Sequence, residues 1–160
     1  MRLRKKSLLS VIFLLVTGIT VAGWLFHSHR LQEGFGIYLL DGNKLVISDE
    51  DIISYNKTSH EIKLTARGVE KIKSLALEVP VTGRPFVIKI NGKEIYEGSF
   101  WVPVSSISYS GIVIVINALT QDNTIRIETG YPSPEFFKGV DPRNNPEVFN
   151  YFQEIGKLVH

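Results

Sequence analysis

"FVIKINGKEIYEG", residues 86–98, is the stretch on which the fold turns. Two short runs of mixed apolar and polar residues flank Asn91-Gly92, a dipeptide that readily takes the positive φ angles of a two-residue type I′ turn. The reading predicts a β-hairpin in which Ile90 faces Lys93, Lys89 faces Glu94, Ile88 faces Ile95, Val87 faces Tyr96 and Phe86 faces Glu97. That register sets unlike charges opposite each other at Lys89 and Glu94 and apolar groups at Ile88 and Ile95, each pair contributing roughly 0.2–1 kcal/mol. Ile88 and Ile95 are then one buried face under the helix expected over "ARGVEKIKSLAL", and the lysines and glutamates are solvated pairs rather than acid/base catalysts.

Toward the C-terminus, Phe100-Trp101-Val102-Pro103 stands between Gly98 and the polar "SSISYS". A connecting loop is ordinarily polar, so Phe100, Trp101 and Val102 are the candidate partner-binding residues; the competing reading is that Trp101 closes the end of the core. "GIVIVI", residues 111–116, is an unbroken β-branched run and predicts a central strand covered on both faces. "TIRIE" adds a last strand around Ile125 and Ile127, after which residues 132–160 read as a C-terminal helical tail. Ser133-Pro134-Glu135 and Asn145-Pro146-Glu147 are both cap, proline, acid helix starts. The second helix places Val148, Phe149, Phe152 and Ile155 on one face, for docking on the core or on a partner.

Toward the N-terminus, Thr65 caps a helix over "ARGVEKIKSLAL", whose Val69, Ile72 and Leu75 or Ala76 form one apolar stripe. "HEIKLT" before it alternates as a half-buried strand. Asn56-Lys57-Thr58 matches the N-glycosylation pattern, making Asn56 a possible acceptor in an exported chain. "SDEDIISY" predicts a helix capped by Ser48, with Asp49, Glu50 and Asp51 at the positive end of its dipole. The same acids lack the spaced ligand ladder of a calcium loop. "IYLL", Asp41-Gly42-Asn43 and "KLVI" predict a second hairpin, preceded by a spacer over residues 27–36 in which His27 and His29 lie two apart.

From Ser7 to Phe26 no residue is charged, a run of twenty that as a helix would cross roughly 30 Å of hydrocarbon. Arg2, Arg4, Lys5 and Lys6 precede it, which predicts a cytoplasmic segment 1–6, a transmembrane anchor 7–26 in the lipid bilayer, and an extracytoplasmic remainder. The alternative is a secreted chain cleaved at Val21-Ala22-Gly23; the continuation of the apolar run through Trp24 and Phe26 favours the anchor. Beyond the anchor, 14 of the 18 Lys+Arg remain against all 16 Asp+Glu, a net of −2, so no basic nucleic-acid footprint is expected. The chain has no cysteine, which excludes disulfides, a lipobox and thiolate metal sites. No GxSxG, P-loop, HExxH or GxGxxG motif occurs, and no cofactor, metal site or catalytic residue is expected; Ser105, Ser106 and Ser108 show no spacing to His60 that would make a nucleophile.

The order over residues 60–116 is a strand, a Thr-x-x-Gly helix start, "TGRPFVIKINGK", a second hairpin strand and an apolar strand. It resembles the first extracytoplasmic domain of the SecD/SecDF protein-export family, the matching residues being Thr65, Gly68, Gly83, Asn91, Gly92 and Lys93. The multi-helix membrane bundle of that family has no counterpart in these 160 residues. The resemblance implies a SecD-like ectodomain on a single anchor, contacting exported polypeptide or an envelope protein complex. The expected fold is a single α+β domain over residues 37–131, a mainly antiparallel sheet with helices on one face, partly ferredoxin-like. The alternative function is an extracytoplasmic enzyme or small-ligand-binding protein whose site draws on residues distant in sequence.

Overall fold

Asn91 and Gly92 both adopt positive φ, 50° and 79°, and the chain reverses there from β5 (Arg84–Ile90) into β6 (Lys93–Trp101). The protein is described here by a computed structural model that covers residues 34–118 and 123–160. Ile90 pairs with Lys93 and Lys89 with Glu94 as expected, but a bulge then sets Tyr96 opposite Ile88, Glu97 opposite Val87 and Gly98 opposite Phe86. Ile95 is the extra residue. The one-residue shift moves Tyr96 to the core face beside Ile88 and leaves Ile95 half-buried. Lys89 is also less solvated than expected: its Nζ lies 3.0 Å from Glu94 and 5.5 Å from the centre of the Tyr38 ring.

Around this hairpin stand β1 (Phe35–Leu39), β2 (Leu45–Ser48), β7 (Tyr109–Val115) and β9 (Glu128–Tyr131), completing a six-stranded sheet in the order β2-β1-β5-β6-β7-β9. A second sheet has four strands in the order β10-β3-β4-β8, formed by β3 (Ile52–Asn56), β4 (Glu61–Leu64), β8 (Thr124–Arg126) and β10 (Leu158–Val159). All pairings are antiparallel except β6 with β7 and β10 with β3. Among the described residues two helices, α1 (Ala66–Ala76) and α2 (Pro146–Glu154), complete an α+β fold with mixed sheets. Gly34–His160 form one compact unit, in which residues 132–160 supply α2 and β10 and residues 35 and 36 belong to β1.

Several expectations are corrected by how the chain moves between the sheets. There are two sheets rather than one, and the ferredoxin-like order is not formed, because β4 and β5, on either side of α1, lie in different sheets. "SDEDIISY" is not a helix. A 3-10 turn spans Asp49–Asp51 and the chain continues as β3, where the β-branched pair Ile52-Ile53 favours extended backbone. "TIRIE" is two strands, β8 and β9, with Ile127 carrying the chain from the small sheet to the large one. The hairpin's helical neighbour is α2 rather than α1: Lys93 Nζ at the hairpin tip lies 2.7 Å from Glu147 of α2.

The central strand is as expected, with Ile112, Val113 and Ile114 all buried in β7. One continuous core draws on both sheets and both helices. Ile37, Phe86 and Ile114 enter it from the large sheet, Tyr55 and Ile62 from the small one, and Ile72, Leu75 and Val148 from the helices. Phe152 of α2 joins the two sheets, its ring 4.8 Å from Phe35 of β1 and 4.9 Å from Tyr55 of β3. Among the described residues no helix is long and apolar enough to cross a membrane; the Ser7–Phe26 segment, the cleavage position at Gly23, and His27 and His29 lie outside them.

Because Phe152 is fully buried against strands of both sheets, Phe152→Ala is expected to cost about 3–5 kcal/mol in urea unfolding. Phe136→Ala, at a ring 42% exposed, is expected to stay within about 0.5 kcal/mol of wild type. Similar small losses at both positions would show that the sheets do not share one core.

Candidate functional site: a groove between an edge strand and a helix

The site begins with the Ser48 cap. Ser48 donates its backbone N–H and its hydroxyl to Asp51 Oδ2, at 2.9 and 3.1 Å, so the capping geometry predicted from the sequence forms although no helix follows it. The turn drives the Asp51 side chain inward, where it is fully buried. There Arg67 Nε reaches Oδ1 and Lys71 Nζ reaches Oδ2, both at 2.7 Å. The Asp51 carbonyl accepts the Thr65 N–H at 2.8 Å, and α1 presses so close that a Cβ on Gly68 would fall 2.7 Å from that oxygen. Thr65 in turn accepts the Gly68 N–H at 3.2 Å, capping α1 as the sequence predicts.

The other end of α1 is tied by Arg84, which donates to Glu78 at 3.0 Å and to Asp41 in the β1–β2 turn at 2.9 Å. Held at both ends, α1 runs antiparallel to β2 with a groove of about 410 Å³ between them. The part-exposed Leu45 and the buried Leu39, Val46 and Leu75 form its apolar floor, and Lys44, Arg67, Glu70, Lys71, Ser74 and Glu78 its rim. β2 is the outer strand of its sheet, so its outward backbone groups have no strand partner. The groove therefore offers apolar surface beside an open row of backbone donors and acceptors. Apart from Lys44, the rim charges pair with residues outside the groove lining: Arg67 and Lys71 with Asp51, Glu70 with Lys73 and Glu78 with Arg84.

Asp51 is the ionised centre of this arrangement. Burial pushes its carboxyl upward, but the Lys71 ammonium, the Ser48 N–H and the Arg67 guanidinium outweigh that and hold it below the usual carboxylate range. Its outer neighbours are equally occupied: Glu50 accepts from Arg67 at 3.1 Å, and Asp49 accepts from the Tyr151 hydroxyl. Among the described residues no group of three or more acids or histidines is placed to hold a metal ion.

The candidate partner-binding residues lie elsewhere. The loop expected after the hairpin is a continuation of β6, and Phe100 (0% exposed), Trp101 (3%) and Val102 (9%) are buried. Phe100 and Val102 enter the core, and Trp101 stacks on Tyr109 at 5.1 Å. The alternation of a half-buried strand was hidden because both faces of β6 are covered at this end. Asn56 is the last residue of β3, and its Oδ1 accepts the Thr58 and Ser59 N–H groups of the β3–β4 turn, each at 2.9 Å. His60 hydrogen-bonds the Tyr55 hydroxyl at 3.0 Å, while Ser105 donates to the Val81 carbonyl at 2.6 Å. No groove residue is marked by the sequence as part of a site, Leu75 being read there as core stripe of its helix. The available signal was Leu45-Val46-Ile47, three consecutive apolar residues in a short strand, which marks a strand with something to cover on both faces.

Comparison with protein-family models, with curated proteins and with solved structures returns no match to this chain.

The linkage sign for Asp51 follows from its lowered pKa: the unfolded chain binds the proton more readily, so the carboxylate stabilises the fold above its ordinary pKa and loses that contribution as pH falls through the lowered one. Asp51→Asn is expected to lower stability by about 1–3 kcal/mol at neutral pH. The gap between wild type and variant should narrow on acidification through and below the ordinary carboxylate range. Denaturant midpoints across a pH series check this; a gap independent of pH would show that the charge contributes nothing.

Proposed function

We propose that the chain is a single-pass, membrane-anchored extracytoplasmic binding module that engages exported polypeptide or an envelope protein through the groove between β2 and α1. The observation that carries this reading is the pairing of an open sheet edge with an apolar groove alongside it, which suits an extended polypeptide in both backbone and side-chain terms. The uncharged Ser7–Phe26 run behind four basic residues supports the anchor and its orientation. The resemblance to the SecD/SecDF ectodomain supports exported polypeptide as the partner class. Its matching residues all have local structural work here: Thr65 caps α1, Gly68 packs on Asp51, Gly83 leads into β5, Asn91-Gly92 makes the turn and Lys93 pairs with Glu147.

Two measurements test the proposal. Protease added to cells with the outer envelope opened should digest residues 31–160 and spare the basic N-terminus; a mature chain beginning at Trp24 would replace the anchor with a cleaved leader. The full chain in lipid nanodiscs should bind a carboxymethylated, permanently unfolded polypeptide, measured by fluorescence anisotropy. Ser74→Trp, which fills the groove from an exposed position on α1, should weaken that binding at least about tenfold with thermal stability unchanged. Absence of binding, or equal binding by both proteins, overturns the groove as the site.

A further inference from the structure

The reading of the groove as a polypeptide site can be taken to the conformation and charge of what it holds, and this inference rests on that reading. We propose that the occupant is an extended segment that adds as a strand to the outer edge of β2, drops alternate apolar side chains into the groove and sets a carboxylate against Lys44.

The strand mode follows from a comparison of edges. Of the four outer strands, β10 has two residues and β8 has three, one of them the charged Arg126. β9 has the turn at Pro134–Phe136 packed against it. β2 is a four-residue edge with consecutive apolar residues at Leu45, Val46 and Ile47, its register on β1 slipping by one residue at Val46. A strand added to it would lie beside α1, which the Asp51 and Arg84 ion pairs hold at both ends. Successive side chains of a strand point to opposite faces, so every second one of the ligand would turn toward the groove, where Leu45 is the part-exposed apolar residue above the buried Leu39, Val46 and Leu75. At about 410 Å³ the groove falls in the roughly 300–1,000 Å³ range of ligand sites, large enough for a few side chains of one short segment.

The charge follows from which rim groups are already committed. Arg67 and Lys71 are paired with Asp51, and Arg67 also with Glu50. Glu78 is paired with Arg84, and Glu70 lies 3.6 Å from Lys73. Among the described residues Lys44 is the rim charge with no ion-pair partner, and it is exposed at the end of the groove where β2 begins. A ligand carboxylate finds there an exposed ammonium that no acid holds in an ion pair, although its field reaches Asp41, whereas a ligand ammonium finds carboxylates already paired. The other occupant with the right geometry is the β2 edge of a second copy of the chain, which would present another Lys44 instead of an acid.

The test uses the full chain in nanodiscs and short, end-capped fluorescent peptides alternating valine with threonine. One peptide carries a single glutamate, one a glutamine in its place, and two more carry the glutamate with N-methyl groups on one or the other alternating set of backbone amides. In strand addition only one set faces β2, so one N-methylated peptide should lose binding at least tenfold and the other should retain most of it. The glutamate peptide should bind several-fold more tightly than the glutamine peptide to wild type, and Lys44→Glu should reverse that order without lowering the melting temperature. Equal effects of the two N-methyl sets overturn strand addition, and a glutamate preference unchanged by Lys44→Glu overturns the carboxylate contact. If Ser74→Trp still abolishes binding in either case, the groove stands as a polypeptide site while this mode falls; if Ser74→Trp has no effect, both fall. A dimer that Leu45→Lys dissociates, with no peptide binding, assigns the edge to a second copy and overturns the proposal.

Discussion

The carboxylate of Asp51 is the constraint on which the rest of the arrangement hangs. It sits at the turn where the chain leaves the large sheet for the small one, and it receives Lys71, Arg67 and both donor groups of Ser48. A fully buried carboxylate is costly unless its oxygens are occupied, and here the occupying cations both come from α1. That requirement pins the helix against the end of β2, and the groove is the space left beside the strand once the helix has been pinned. Arg84 repeats the device at the opposite end with exposed acids, where screening by water leaves each pair less to contribute.

What the sequence disclosed was mostly local. The Asn91-Gly92 turn, the Thr65 cap, the doubly covered β7 and the apolar stripe of α1 each depend on residues a few positions apart, and each is found where the pattern placed it. The failures share a cause. The Ser48–Asp51 capping bonds are real, yet a cap specifies how a turn starts and not how far a helix runs, and Ile52-Ile53 diverted the chain into a strand. The bulge at Ile95 is chosen by which aromatic fits the core, a matter of packing that alternation does not encode. The groove was invisible because its walls come from β2 and α1 and its closing pair joins Arg84 to an acid 43 residues earlier.

The C-terminal segment shows how thoroughly the two sheets are interlocked. Phe152 lies nearly flat on Tyr55, at 13° between ring planes, while Lys157 donates to the carbonyls of Asp49 and Ile52 at 2.6 and 2.7 Å. β10 then pairs in parallel with β3, so the last strand in sequence closes a sheet begun about a hundred residues earlier. Such long-range closure makes folding slow compared with a chain of local hairpins, and it leaves the four-stranded sheet incomplete until β10 has docked.

The position of β1 has a mechanical consequence. Just before its first residue, Gly34 and Asn91 exchange two hydrogen bonds, N–H to Oδ1 and N–H to carbonyl, both at 2.9 Å. Beyond that clamp β1 is laddered on both sides, to β2 and to β5. Ladder bonds stand perpendicular to the strand, so tension applied along β1 loads many of them together in shear instead of opening them one by one. A tug arriving from the N-terminal side is thus spread over the two neighbouring strands, and one of those two, β2, is also the wall of the groove.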